Sequence, residues 1–205
     1  MVKVLITGGG GDIAQAIAEE LSECGDYQIS APTRAELDVT DSEAVMRYVT
    51  ELTPDVLVNN AGYVKPQSIF KSTISEVDRH IDVDLKGAWY CTLAAAQANK
   101  NVRVVSIGSS AATKVFPTWA EYCACKAGLV MATQCWAQDG LDAVCVSPGR
   151  TRTKMRKGLY PNEDPSTLLD PADFARVVVK AIEGQYKPGT HINVNASNVK
   201  TLLED

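Results

Sequence analysis

Val2-Lys3-Val4-Leu5-Ile6-Thr7-Gly8-Gly9-Gly10-Gly11-Asp12-Ile13-Ala14 is the stretch from which the rest of the chain can be read. Its first part is apolar and largely β-branched, the composition of a strand buried on both faces of a parallel sheet. Four glycines follow at once, and Ile13, Ala16, Ile17 and Leu21 then recur at helical spacing up to Gly25. A glycine-rich turn from strand to helix lets backbone approach a pyrophosphate, whose charge is met by the free amides at the helix N-terminus. A merely flexible loop would account for neither flanking element.

Outward from that turn, strand and helix keep alternating. Residues 27–31 read as a strand, 42–52 as a helix ended by Pro54, and 55–58 as a strand running into Asn59-Asn60-Ala61-Gly62. A long helical stretch over 75–99 carries Ile81, Leu85, Ala88, Leu93 and Ala96, and a strand over 102–107 ends at Gly108-Ser109-Ser110. After Pro117 comes a helix to about residue 139, then a strand over 142–146, a polar stretch to Asp170, a helix over 171–183, a strand over 190–194 and a short polar tail. This rhythm predicts an α/β fold, a Rossmann-like doubly wound parallel sheet flanked by helices, in one domain spanning 1–205 with a substrate lid around 150–170. Ligands of such sheets bind beyond the carboxyl ends of the strands, where the glycine turn, residues 59–62 and Ser109 converge.

Composition narrows the function classes. The chain has 205 residues, 45% of them hydrophobic and 22% charged, enough for one substantial core. Its net charge of -5 provides no basic field to recruit nucleic acid or an anionic membrane. The first apolar run is too short for a signal peptide or a membrane span, so a cytoplasmic location is expected. Six cysteines show no C-x-x-C pair, and His80 and His191 stand apart from them, so no metal site is expected.

Two local patterns carry chemistry. Tyr122 and Lys126 are four residues apart, one helical turn on the same face, and a cation there pulls a phenol down from its ordinary value near ~10 toward proton exchange at neutral pH. An acid ending the second strand would accept ribose hydroxyls; here Ala31-Pro32-Thr33 has none and Arg34 follows. A guanidinium suits a 2'-phosphate, so NADP(H) is expected over NAD(H).

In this order the pieces resemble the short-chain dehydrogenase/reductase family over nearly the whole chain. The segment with Thr7, Gly8, Gly10, Gly11, Asp12 and Ile13 is similar to the family's cofactor loop, and Asp38-Val39 to the pair that contacts adenine. Asn60, Ala61 and Gly62 match the signature after its fourth strand. Ser109 stands thirteen residues before Tyr122, the family's spacing for the catalytic serine, with Pro117 supporting that register. Pro148, Gly149, Thr151 and Thr153 match the segment at the nicotinamide end. The resemblance implies hydride transfer between NADP(H) and a small carbonyl or secondary alcohol substrate. Tyr122 would be the general acid/base, Ser109 would bond the reacting oxygen, and Lys126 would lower the Tyr122 pKa and hold the ribose. It also implies a homodimer or homotetramer built partly on the two long central helices.

The departures are specific. The glycine spacing lies between the classical and extended patterns, and the helix expected between the second and third strands is deleted. No C-terminal substrate domain follows Val194, which argues against a sugar-nucleotide epimerase. Asp84 stands where the resemblance implies a catalytic asparagine: its carboxylate can hold a relay water near Lys126, or pair with Lys126 and cancel its field. The latter favours the alternative of a catalytically impaired redox sensor or scaffold. Arg150, Arg152, Lys154, Arg156 and Lys157 put five cations into eight residues, either a solvated face or a lid that steers an anionic sugar-type or acyl-carrier substrate.

Overall fold

Six strands form one parallel sheet in the order β2-β1-β3-β4-β5-β6 in the computed structural model, which describes residues 1–204. They are β1 (Val2–Ile6), β2 (Tyr27–Ser30), β3 (Val56–Asn59), β4 (Arg103–Ile107), β5 (Asp142–Pro148) and β6 (His191–Val194). Between them run α1 (Asp12–Cys24), α2 (Ser42–Leu52), α3 (Ile74–His80), α4 (Gly87–Ala98), α5 (Ala120–Gln138), α6 (Lys154–Leu159) and α7 (Pro171–Ile182), with α8 (Val199–Glu204) last. Alternation along β1 sends Val4 and Ile6 to one face and Leu5 to the other. Val4 and Ile6 meet Ile17 and Leu21 of α1 and Phe174 and Val178 of α7. Leu5 meets Val45 and Val49 of α2 and Cys91 and Ala94 of α4. The chain leaves β1 outward to β2 and returns across it to β3, and the reversal opens a crevice above the carboxyl ends of β1 and β3.

The structure also holds elements that the sequence reading did not have. The helical stretch over 75–99 is interrupted by a π-helical turn, Ile81–Lys86, inside which Asp82 and Lys86 pair at the surface while Asp84 is buried. Such turns hold one extra residue against the helical register, which periodicity does not reveal. The polar tail contains α8, with Val199 buried and the Leu202 and Leu203 carbonyls accepting from Lys180 Nζ at 2.9 and 3.2 Å.

As read from the sequence, residues 33–41 form no strand and Asn59–Gly62 follows the third strand, where the family's signature follows the fourth; β2 is a sheet edge. Side chains shape that connection. The Glu36 carboxylate accepts from the Thr33 N–H (2.7 Å) and hydroxyl (2.8 Å), and Asp41 caps α2 by accepting from the Glu43 and Ala44 amides. Among the described residues no helix is long and apolar enough to cross a membrane, and no His, Cys, Asp and Glu grouping suits a metal ion.

Candidate active site

The glycine turn is held open by packing. Gly8 takes φ +70°, and a Cβ on Gly9 would lie 1.9 Å from the Ala31 carbonyl oxygen, so only glycine lets the turn rest against the end of β2. Thr7 is buried, and its Oγ1 accepts the Asn60 and Ala61 amides at 3.0 Å each, while Asn60 Nδ2 donates to the Thr7 carbonyl at 3.0 Å. Thr7 therefore ties the tips of β1 and β3 together from beneath the cleft lining. Gly11 caps α1 with no side-chain hydrogen bond, leaving the first-turn amides available to an anion.

Above these tips lies a cleft of about 490 Å³. Of the residues expected to hold a dinucleotide, Gly8, Gly10, Gly11, Asp12, Ile13, Arg34, Asp38, Val39, Asn60, Ala61, Gly62, Pro148 and Thr153 line it, together with Tyr122 and Lys126. Its size falls within the ~300–1,000 Å³ of cofactor sites, and its donor set, backbone amides at one end and a guanidinium at the other, fits a dinucleotide. Arg34 Nε lies 3.1 Å from Asp38 Oδ2. Partial burial raises the Asp38 pKa, but hydrogen bonds from Thr40 and the Arg34 guanidinium outweigh it and hold the carboxyl below its usual range. At the other end the Asp12 carboxylate accepts the Lys154 N–H and stands 3.4 Å from Lys154 Nζ, strapping the start of α1 to α6 across the mouth of the cleft.

Sequence reasoning missed Leu37, Tyr63, Arg79, Val83, Ile107 and Gly108 of the same lining, whose Lys154 and Met155 belong to the expected lid. Leu37 and Tyr63 abut expected residues and were findable by adjacency. Arg79, whose guanidinium covers the Tyr63 ring at 4.1 Å, carries no sequence signal.

Tyr122 and Lys126 lie on one face of α5, with Lys126 Nζ 5.6 Å from the Tyr122 ring centre. Lys126 is 4% exposed, donates to the Ile107 carbonyl at 3.2 Å and stands 3.5 Å from Asp84 Oδ1. Asp84 Oδ1 also accepts the Tyr63 amide at 3.1 Å, whereas buried Oδ2 has no protein partner. Burial drives the Asp84 pKa upward against the pull of Lys126. The Lys126 ammonium is penalised by burial, yet the attraction of the Tyr122 phenolate, where it forms, and of Asp84 keeps its pKa above the usual lysine value.

Tyr122 is half-buried and lines the cleft. Burial first, and then Asp84, raise its pKa above the ordinary value, and the opposing pulls of Lys126 and the Ser109 hydroxyl do not offset them. The expectation that Lys126 lowers this phenol holds for the direction of that one contribution and fails for the sum. Ser109 Oγ accepts the Ala111 amide at 3.1 Å as cap of the 3-10 turn Ser110–Ala112, which leaves its proton free to donate.

A second cavity, about 110 Å³, adjoins the cleft and is lined by Ser109, Gly149 and Thr151. Tyr122, Ile13, Pro148, Thr153 and Met155 line both spaces. The five cations of 150–157 are largely paired. Arg156 engages Glu163 through Nε (2.7 Å) and a terminal nitrogen (2.8 Å), and Arg150 reaches the same carboxylate at 3.1 Å. Arg152 pairs with Asp170 and Lys154 with Asp12.

A phenol and a hydroxyl converging between a dinucleotide-sized cleft and a small pocket can pass a proton to or from an oxygen bound there. The short chain dehydrogenase family profile matches residues 28–164. The 3-oxoacyl-[acyl-carrier-protein] reductase MabA of Mycobacterium avium is 32% identical over 178 residues, covering 76% of this chain and 69% of that protein. The corresponding reductase FabG of Haemophilus influenzae is 26% identical over 230 residues, covering 93% and 95%. A short chain dehydrogenase from Burkholderia cenocepacia, solved in complex with NADP, superimposes with a TM-score of 0.81 at 26% identity over 94% of this chain and 96% of that one. Profile, relatives and six-stranded parallel sheet agree: the chain belongs to the short-chain dehydrogenase/reductase family of NAD(P)-dependent oxidoreductases.

Proposed function

We propose that this protein transfers hydride between NADP(H) and a carbonyl or secondary alcohol, with Tyr122 as general acid/base. The observation that carries the reading is that Tyr122 lines both the dinucleotide cleft and the small pocket, next to Ser109. The cofactor, when bound, supplies or accepts the hydride. In reduction the substrate carbon gains that hydride and its oxygen takes the Tyr122 proton, with Ser109 donating a hydrogen bond to the same oxygen. Lys126, fixed by the Ile107 carbonyl and Asp84, keeps a positive charge beside the phenolate left behind. The α1 amides take the pyrophosphate, and Arg34 beside Asp38 takes the 2'-phosphate; the NADP bound to the Burkholderia relative supports that choice.

The relatives' names support an acyl-carrier thioester among the candidate substrates. Residues 150–170 act as a lid, and the paired state of four of its five cations limits how strongly it steers an anion. The reading includes a homodimer or homotetramer in the cytoplasm. The second reading, a dinucleotide-binding sensor or scaffold with impaired turnover, is favoured by the Asp84–Lys126 contact and the raised Tyr122 pKa.

The decisive test titrates NADPH and NADH and follows absorbance at the nicotinamide band with ketones and aldehydes. Tyr122→Phe should lose about 10²–10⁴-fold in kcat while keeping its affinity for NADPH. Binding without turnover in the wild type, unchanged in Tyr122→Phe, would establish the sensor instead.

A further inference from the structure

The small pocket and the lid that covers it carry information about the substrate. Its walls are Phe116, Trp119, Leu159 and Met155 on the apolar side, with Ser109 and Tyr122 at the reacting end. Trp119 sits at the centre of an aromatic cluster, edge-on to Tyr122 at 5.6 Å, against Phe116 at 5.6 Å and stacked on Tyr160 at 6.4 Å. Arg156 lies over the other side of that arrangement, its guanidinium carbon 3.8 Å from the Tyr160 ring centre. One chain of contacts thus runs from Glu163 through Arg156, Tyr160 and Trp119 to Tyr122.

Two arginines, Arg150 and Arg156, line this pocket, and by residue type alone they invite a carboxylate or phosphate. Their hydrogen bonds argue otherwise. Both oxygens of Glu163 are taken by Arg156 in a two-pronged contact, and Arg150 shares one of them. An anionic substrate would have to displace that carboxylate, breaking charge-assisted bonds already in place, and would then lie against aromatic walls. What positive charge is left over belongs to largely exposed Arg150 and to Lys157, on the solvent side. Size agrees with this. The pocket holds about 110 Å³ beside the cleft, room for a compact group.

Building on the reductase reading, we infer that the substrate enters with an uncharged carbonyl end bearing a compact apolar group seated against Phe116, Trp119 and Leu159. Arg150 and Arg156 then serve to pin the lid through Glu163 instead of binding substrate charge, and Trp119 sets specificity by forming the wall beside Tyr122 at the reacting end. A keto ester or small ketone fits this class, and the corresponding keto acid does not.

The test compares ethyl acetoacetate with acetoacetate, which differ in the charge beside the same ketone. Calorimetry on protein saturated with NADP+ reads ligand binding without turnover, and steady-state reduction with NADPH reads catalysis. The ester should bind at least about tenfold more tightly than the acid, because a carboxylate against apolar walls loses its hydration. Trp119→Ala should weaken ester binding by about tenfold through lost aromatic contact. Glu163→Gln, which frees both guanidiniums, should strengthen binding of the acid alone. Equal or tighter binding of acetoacetate by the wild type, failure of both compounds to bind, or an ester affinity indifferent to Trp119→Ala would overturn the inference. An ester that binds yet is never reduced would overturn the reductase reading and leave the pocket's preference standing.

Discussion

At position 84 a carboxylate is buried with one oxygen hydrogen-bonded to the Tyr63 amide and near Lys126, and the other without a protein partner. Because that anion raises the Tyr122 pKa, removing its charge must lower it. Reduction needs the protonated phenol, so its rate should be flat through neutral pH and fall only on the alkaline side. In Asp84→Asn that alkaline limb should move to lower pH, and the rising limb of alcohol oxidation should move with it. Superimposable pH profiles for the two proteins would rule this out. Arg34 allows a simpler test: Arg34→Ala should cut the preference for NADPH over NADH by about 10–100-fold, the loss of one charge-assisted phosphate contact, measured as the ratio of the two dissociation constants. At this scale the sequence was legible where chemistry follows from spacing along one helix, as for Tyr122 and Lys126. The net direction of the Tyr122 shift was not legible, because its burial arises from chain segments remote in sequence.

Between elements, the strap from Asp12 to Lys154 places a carboxylate at the N-terminus of α1, where a pyrophosphate would also be drawn. Asp12→Asn keeps an oxygen to accept the Lys154 amide and removes the like charge. Affinity for NADPH should rise by about two- to fivefold at low ionic strength, with the gain shrinking as salt is added. Fluorescence titrations at two salt concentrations would read it, and a loss of affinity would show the charge itself to be needed. The turn beside it is the tighter constraint. Gly9→Ala forces a Cβ against the Ala31 carbonyl, so the melting midpoint should fall by an amount equivalent to about 1–3 kcal/mol, and more if the end of β2 cannot shift. The glycine turn was readable because its composition and its neighbours point the same way. The pairings of Arg150 and Arg156 with Glu163, and of Lys154 with Asp12, were not. They join residues by tertiary position, so a row of cations looked like an open field when most were already engaged.

For the whole molecule, the βα rhythm determined the layers, since each apolar run had only one way to bury itself. What it left open is where the helical surface ends. Trp89 and Leu93, a turn apart on α4, remain 48% and 52% exposed, and Met131 on α5 remains 61% exposed, with Trp89 edge-on to Trp136 between the helices. A second copy of the chain is the occupant proposed for this face. Leu93→Lys should shift sedimentation toward the monomer without lowering the melting midpoint by more than about 1 kcal/mol equivalent, as befits an exposed site. An unchanged assembly would place the contact elsewhere.

The strandless connection from Ala31 to Asp41 has one more consequence. Among the described residues β2 pairs only with β1, so its outer edge can accept another strand, and joining such an edge needs main-chain groups alone. The tips of β1 and β3 are joined by Thr7 and Asn60, and the Gly9 amide donates to the Pro32 carbonyl at 2.9 Å where that margin begins. Residues 32–41 also carry Arg34, Asp38 and Val39 into the cleft, so a helix and strand added at this margin would have to spare those three, whereas Tyr122 and Lys126 stand away from it on α5.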